Sequence, residues 1–162
     1  MTSASAIETA VVDRAGKYLT FMLEAESYGL EILKVREIIG VMEITGVPRT
    51  PDYVLGVINL RGKVVPVVDL RTKFGLPTTE TTEETCIIVV QIGDVEIGIQ
   101  VDRVSEVLDV QGADIEDAPS FGPEVDTNFI LGMGKVGERV TMLLDIDNVL
   151  GAGELADLAS MA

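Results

Sequence analysis

The amino-acid sequence predicts a mainly all-β protein: two small five-stranded barrels packed together, with short helical turns and a C-terminal helix. Two observations predict it. First, the chain repeats itself: residues 18–41 moved forward by 69 fall on 87–110, and residues 53–75 moved forward by 76 fall on 129–151, both without a gap. Identities number only 4 of 24 and 5 of 23, but apolar class, glycines and aspartates stay in register (Gly29 with Gly98, Glu37 with Glu106, Leu55-Gly56 with Leu131-Gly132, Asp69 with Asp145). Second, each copy reads as short β-rich runs broken by Gly and polar turns, and a unit of about 60 residues is marginal alone. So small a sheet curls into a barrel to cover its edges, and the two copies fold against each other.

In order, residues 1–15 are small and polar without period, read as a flexible N-terminus. Residues 18–23 form a strand, 24–27 a polar turn, 28–32 the return strand and 34–41 a third strand. Residues 46–51, with Pro48 and Pro51, form a loop. The clearest hairpin follows: strand 54–60, a turn at Arg61-Gly62, strand 63–68, with Gly62 supplying the left-handed conformation. Asp69 then caps a one-turn helix, 70–74, and Gly75 ends it in left-handed conformation; Asp145, 146–150 and Gly151 repeat the arrangement. The whole of 1–162 reads as one domain, with repeated barrels at 16–76 and 86–151 that can exchange strands and a tail or helix at 152–162. Residues 77–85 are a polar connector. The loop 112–127 is seven residues longer than its counterpart.

Composition excludes much chemistry. The 162 residues contain no histidine, no tryptophan and one cysteine, Cys86. That leaves no internal disulfide, no Cys/His zinc set and no His-activated nucleophile. No metal or cofactor is expected, and of enzymes only one working through carboxylates alone remains open. No apolar run reaches the ~20 residues that span a bilayer, and the first residues lack a basic segment followed by an apolar one. The expected location is the cytoplasm. Net charge is −15: residues 1–74 balance 9 basic against 9 acidic side chains, while residues 75–162 carry 3 basic and 18 acidic. An acidic half of that kind repels nucleic acid and anionic lipid, so neither is an expected partner.

Two motifs mislead. Residues 132–137 fit GxGxxG, but a β-type run follows where a dinucleotide site needs a helix. Asp145, Asp147 and Asn148 hint at a calcium loop that Val149 and Leu150 break. The useful contrast lies at the hairpin tips. The first copy has Asn59-Leu60-Arg61-Gly62 where the second has Lys135-Val136-Gly137-Glu138, although the flanks are kept. On residues alone, Arg61 is equally a solvated charge and an anchor for a partner carboxylate or carbonyl. Val35 and Glu37 recur as Val104 and Glu106, which assigns them to architecture. Phe121, between Pro119 and Pro123, is either a core anchor or an exposed contact.

The segments Tyr28-Gly29-Leu30-Glu31-Ile32-Leu33-Lys34-Val35-Arg36-Glu37-Ile38 and Gly56-Val57-Ile58-Asn59-Leu60-Arg61-Gly62-Lys63-Val64-Val65-Pro66-Val67-Val68-Asp69-Leu70 closely resemble the CheW family of bacterial chemotaxis coupling proteins. The resemblance runs from about Tyr18 to Gly151. It implies two SH3-like five-stranded barrels around a shared core, and an adaptor that couples methyl-accepting chemoreceptors to the histidine kinase CheA in arrays at the inner face of the membrane. It further implies a receptor-binding set of Val35, Asn59, Leu60 and Arg61, facing the receptor's cytoplasmic hairpin tip. A kinase-binding set of Glu37, Gly56, Gly62 and Phe121 would face the CheA regulatory domain. The alternatives are the same adaptor in a non-flagellar chemosensory system such as twitching motility, or a carboxylate-based enzyme. A reader of proline-rich peptides is disfavoured, because seven aromatics without tryptophan are few for its groove.

Overall fold

The computed structural model describes residues 14–120 and 127–161. The first copy supplies β1 (Gly16–Leu23), β2 (Glu26–Glu31), β3 (Val35–Gly40), β4 (Val54–Leu60), β5 (Lys63–Asp69) and a one-turn helix, Leu70–Lys73. The second supplies β6 (Cys86–Ile92), β7 (Val95–Val101), β8 (Arg103–Val110), β9 (Ile115–Glu116), β10 (Ile130–Val136), β11 (Arg139–Leu144) and the turn Ile146–Val149, before a terminal helix, Ala152–Met161. The class is all-β, as the sequence predicts.

Neither sheet is made from one copy. One runs β3-β6-β7-β5-β4 and the other β8-β1-β2-β11-β10-β9. The first hairpin of each copy is therefore inserted into the other copy's sheet, and its joints are antiparallel on one side (β1 with β8, β6 with β3) and parallel on the other (β2 with β11, β7 with β5). Gly29 and Gly98, which both copies keep, sit at these joints. A Cβ at Gly98 would lie 2.8 Å from Ile87 Cγ2, and one at Gly29 3.0 Å from Leu143 Cδ2.

The exchange explains the burial. β1 sends Leu19, Phe21 and Leu23 into a core shared between the sheets and Tyr18 into the second barrel. β6 likewise sends Ile88, Val90 and Ile92 into the shared core and Ile87 and Val89 into the first barrel. Strands covered on both faces read as continuous apolar runs rather than alternating ones. An aromatic chain crosses the shared core, with centroids 5.7 Å apart for Phe21–Tyr28 and Tyr28–Phe74, and 5.5 Å for Phe74–Phe129.

Local expectations mostly hold. Arg61 and Gly62 turn the hairpin with φ of +53° and +85°, the pair of left-handed residues that a tight two-residue turn takes. The Asp69 carboxylate accepts from the Arg71 N–H and Asp145 from the Asp147 N–H, both at 3.2 Å. Two differ. The turn expected at 24–27 needs only Glu24 and Ala25, because Glu24 itself takes φ +54°; Ser27 is a buried β2 residue. Gly75 is left-handed, but Gly151 is not: the extended Leu150 leads straight into the terminal helix, where the Leu155 N–H bonds Gly151 O at 2.9 Å. That helix buries Leu158 in the shared core and is tied down by Lys73–Glu154 at 2.5 Å.

Candidate partner-binding surfaces

The five-stranded sheet has two edges, β3 and β4, and the rim where they meet carries most of the expected contact residues. A bulge on β3 pairs Val35 with Val90 and Glu37 with Val89, leaving Arg36 between them. A second bulge, between Val54 and Gly56 on β4, brings that strand over Thr45. Thr45 and Val57 exchange two backbone hydrogen bonds of 2.9 Å, which join the edges. At the hairpin tip, Arg61 closes the same seam through a two-pronged contact: Nη1 donates to Glu37 Oε2 at 3.2 Å and Nη2 to Oε1. The Asn59 carboxamide oxygen accepts from the Gly62 N–H at 2.8 Å and stiffens the turn.

The Arg61 side chain remains 72% exposed and Glu37 29%. The hydrogen bond from Arg61 holds the Glu37 carboxyl below its ordinary range. A guanidinium held by Glu37 on a rigid turn, with its remaining N–H donors facing solvent, suits docking rather than core stability. Leu60 tucks partly into the first barrel's core, and Val35, on the other side of the bulge, packs against the shared core.

The structure thus brings Glu37, Asn59, Leu60, Arg61 and Gly62 onto one rim, with Val35 a bulge away. It sets Gly56 apart. That residue is buried at φ +141°, and a Cβ there would stand 2.0 Å from Thr45 O. Its glycine answers a backbone requirement. Phe121 lies outside the described residues.

Leu33 escaped the sequence reading. It is 91% exposed, beside Ile32, and lines a groove of about 240 Å³ with Tyr18 and Glu31. The second copy has Asp102 at that position, so a comparison of the copies could have raised it. Also missed were two ion-pair clasps of reversed polarity. Arg71 reaches Asp102 (2.6 Å twice), Glu24 (2.5 Å) and Pro77 O (2.8 Å). Its counterpart in the second copy is Asp147, which accepts from Lys34 at 2.9 Å.

Little else suggests chemistry. Among the described residues no group of three or more His, Cys, Asp or Glu could hold a metal. The glycines of 132–134 lie within β10, which a hairpin joins to β11, so no helix amides face a phosphate there. Tyr18 and Tyr53 are each pushed up to about 12, Tyr18 by burial and the nearby Glu31, Tyr53 by burial and its bond to Glu154. Both are packing groups.

Known proteins place this geometry. The CheW-like domain profile matches residues 17–154. Chemotaxis protein CheW of Klebsiella aerogenes is 41% identical over 146 residues, covering 90% of this chain and 88% of the relative. CheW of Bacillus subtilis is 37% identical over 143 residues, 88% of this chain and 91% of the relative. The crystal structure of the scaffolding protein TtCheW from Thermoanaerobacter tengcongensis is similar at a TM-score of 0.78 and 33% identity, over 86% of this chain and 95% of that one.

Proposed function

The chain belongs to the CheW-like domain family, and from that premise we propose that it is a chemotaxis scaffold holding chemoreceptors and the histidine kinase CheA side by side, without catalysis of its own. The observation that carries the reading is the rim itself: a rigid hairpin tip presents Arg61, clamped by Glu37, as a solvent-facing anchor on a body whose cores are otherwise closed. The receptor's cytoplasmic hairpin tip meets Val35, Asn59, Leu60 and Arg61. The kinase's regulatory domain meets Glu37, Gly62 and the segment around Phe121. No helix among the described residues is long and apolar enough to cross a membrane; in this reading the protein works at the inner face through its partners.

Each contact alone is weak. Simultaneous engagement of two partners in an array raises effective concentration and gives tight assembly. A receptor signal passes through only where its two states bind the scaffold with different free energy.

Arg61→Glu tests the assignment. The substituted side chain sits on an exposed tip, so circular dichroism should match the wild type, and loss of the exposed Glu37 pair should cost no more than about 1 kcal/mol of stability. Co-sedimentation with receptor-bearing membranes should weaken about tenfold, the effect of losing a central charged anchor. Unchanged co-sedimentation alongside an intact fold would remove Arg61 from the receptor surface.

A further inference from the structure

The two barrels share a plan but differ inside. The first is filled by Ile58, Val65, Val67, Ile87 and Val89, all nearly fully buried. At the matching positions the second has Gly134, Thr141, Leu143, Tyr18 and Thr20. An isoleucine has become glycine and two valines have become threonines. A valine has become Leu143 and an isoleucine Tyr18, so bulk is redistributed while hydroxyls are gained.

Beside the two threonines lies a cavity of about 280 Å³, lined by Thr20, Ser27, Glu106, Val136, Arg139 and Thr141 among others. Its hydroxyls are ordered. The Thr141 Oγ1 lies 3.1 Å from Ser27 Oγ, and Thr20 Oγ1 both donates to Glu106 O at 2.8 Å and accepts from the Glu106 N–H at 3.1 Å.

Glu106 is the counterpart of Glu37, and Gly137 the counterpart of Arg61. The first barrel's carboxylate holds a guanidinium from its own chain; the second has the carboxylate and no arginine at the tip. Among the described residues Glu106 has no ion-pair partner. Arg139 at the rim does not supply one, since its Nη1 turns to Met22 Sδ at 3.7 Å. The half of the chain bearing this cavity carries all of the net −15, which draws cations.

We propose that the mouth of the second barrel is a receptor for an arginine side chain of a partner protein. The incoming guanidinium takes, opposite the exposed Glu106, the place that Arg61 holds opposite Glu37. Val136 and Leu108, counterparts of Leu60 and Ile39, cover its aliphatic stem. The proposal does not depend on which partners the Arg61 rim serves.

The test titrates the ¹⁵N-labelled full chain with acetyl-Gly-Arg-Gly-amide, using the citrulline and lysine tripeptides as comparisons. Saturable shifts should appear at the amides of Thr20, Ser27, Glu106 and Thr141 with the arginine probe. Glu106→Gln, an exposed change that leaves the fold alone, should weaken binding about tenfold. Gly137→Arg should abolish it, because the tip then supplies its own guanidinium; Gly137 already has φ +62°, close to the +53° that Arg61 adopts in the sister turn. Equal shifts with the lysine probe, shifts that ignore Glu106→Gln, or shifts confined to other acidic positions would each overturn the proposal.

Discussion

Gly56→Ala is expected to cost about 4 kcal/mol of stability, by adding the strain of an L residue forced into a glycine-only conformation to the loss of two hydrogen bonds. The atoms a methyl would meet are all backbone: Thr45 O at 2.0 Å, Thr45 C at 2.7 Å and Gly46 Cα at 3.0 Å. No side chain can rotate away, so the segment at 45–46 must retreat. Its retreat breaks the paired 2.9 Å bonds between Thr45 and Val57 that join the edges of the first barrel. In urea the midpoint should fall by more than about 1 M with little change in slope. Gly40→Ala is the control. That glycine is exposed with nothing within 4 Å of a Cβ, so the variant's stability should stay within about 0.5 kcal/mol of the wild type. A small effect at Gly56 would mean that the seam is not closed as described.

Arg71→Met is expected to cost about 3 kcal/mol, the lower end of what removing one partner of a buried ion pair costs, because Asp102 and Glu24 keep some contact with water. The Arg71 side chain is 10% exposed, against 24% for Asp102 and 48% for Glu24. Its loss also frees Pro77 O, where the connector leaves the first copy. The double variant Arg71→Met/Asp102→Leu should recover part of the loss, since the more buried of the two carboxylates is then gone and Glu24, 48% exposed, is left to water. The loss should depend on pH. Burial raises the Asp102 carboxyl, but the hydrogen bonds from Arg71 and the Glu24 N–H lower it further, leaving it below its ordinary value. The unfolded chain therefore takes up this proton first. The stability contributed by Asp102 is complete above about pH 4 and falls away as pH drops through the depressed folded value. Urea midpoints of wild type and Arg71→Met should thus converge between pH 7 and pH 3. A gap of constant size would show that Asp102 is not the group Arg71 serves.

Much of this architecture was legible, and the remainder shows why some was not. The hairpin around Arg61-Gly62 and the Asp69 and Asp145 caps follow from local residue chemistry, which a sequence displays directly. The exchange of hairpins does not. Residues 86–92 are apolar on both faces whichever barrel receives them, and parallel pairing of β5 with β7 leaves no local mark. The closure of Arg61 onto Glu37 is equally hidden, because it exists only once β3 and β4 meet across the seam.

Comparison of the copies was informative in both directions. Positions that both copies keep point to architecture, and Gly56 obeys that rule through the Thr45 backbone packed against it. Glu37 serves both ends, closing the seam while steadying the exposed Arg61. The clasps show the rule's blind side: Arg71 and Asp147 occupy one structural position with opposite charges, so a repeated function leaves no repeated residue.

The central claim is that this doubled barrel transmits control by holding two proteins together. Its most direct test measures CheA autophosphorylation in a mixture of kinase, receptor-bearing membranes and this chain, with and without a receptor ligand. The account predicts that ligand sensitivity appears only when all three proteins are present. Ligand-sensitive phosphorylation without the chain, or none with it, would contradict the account.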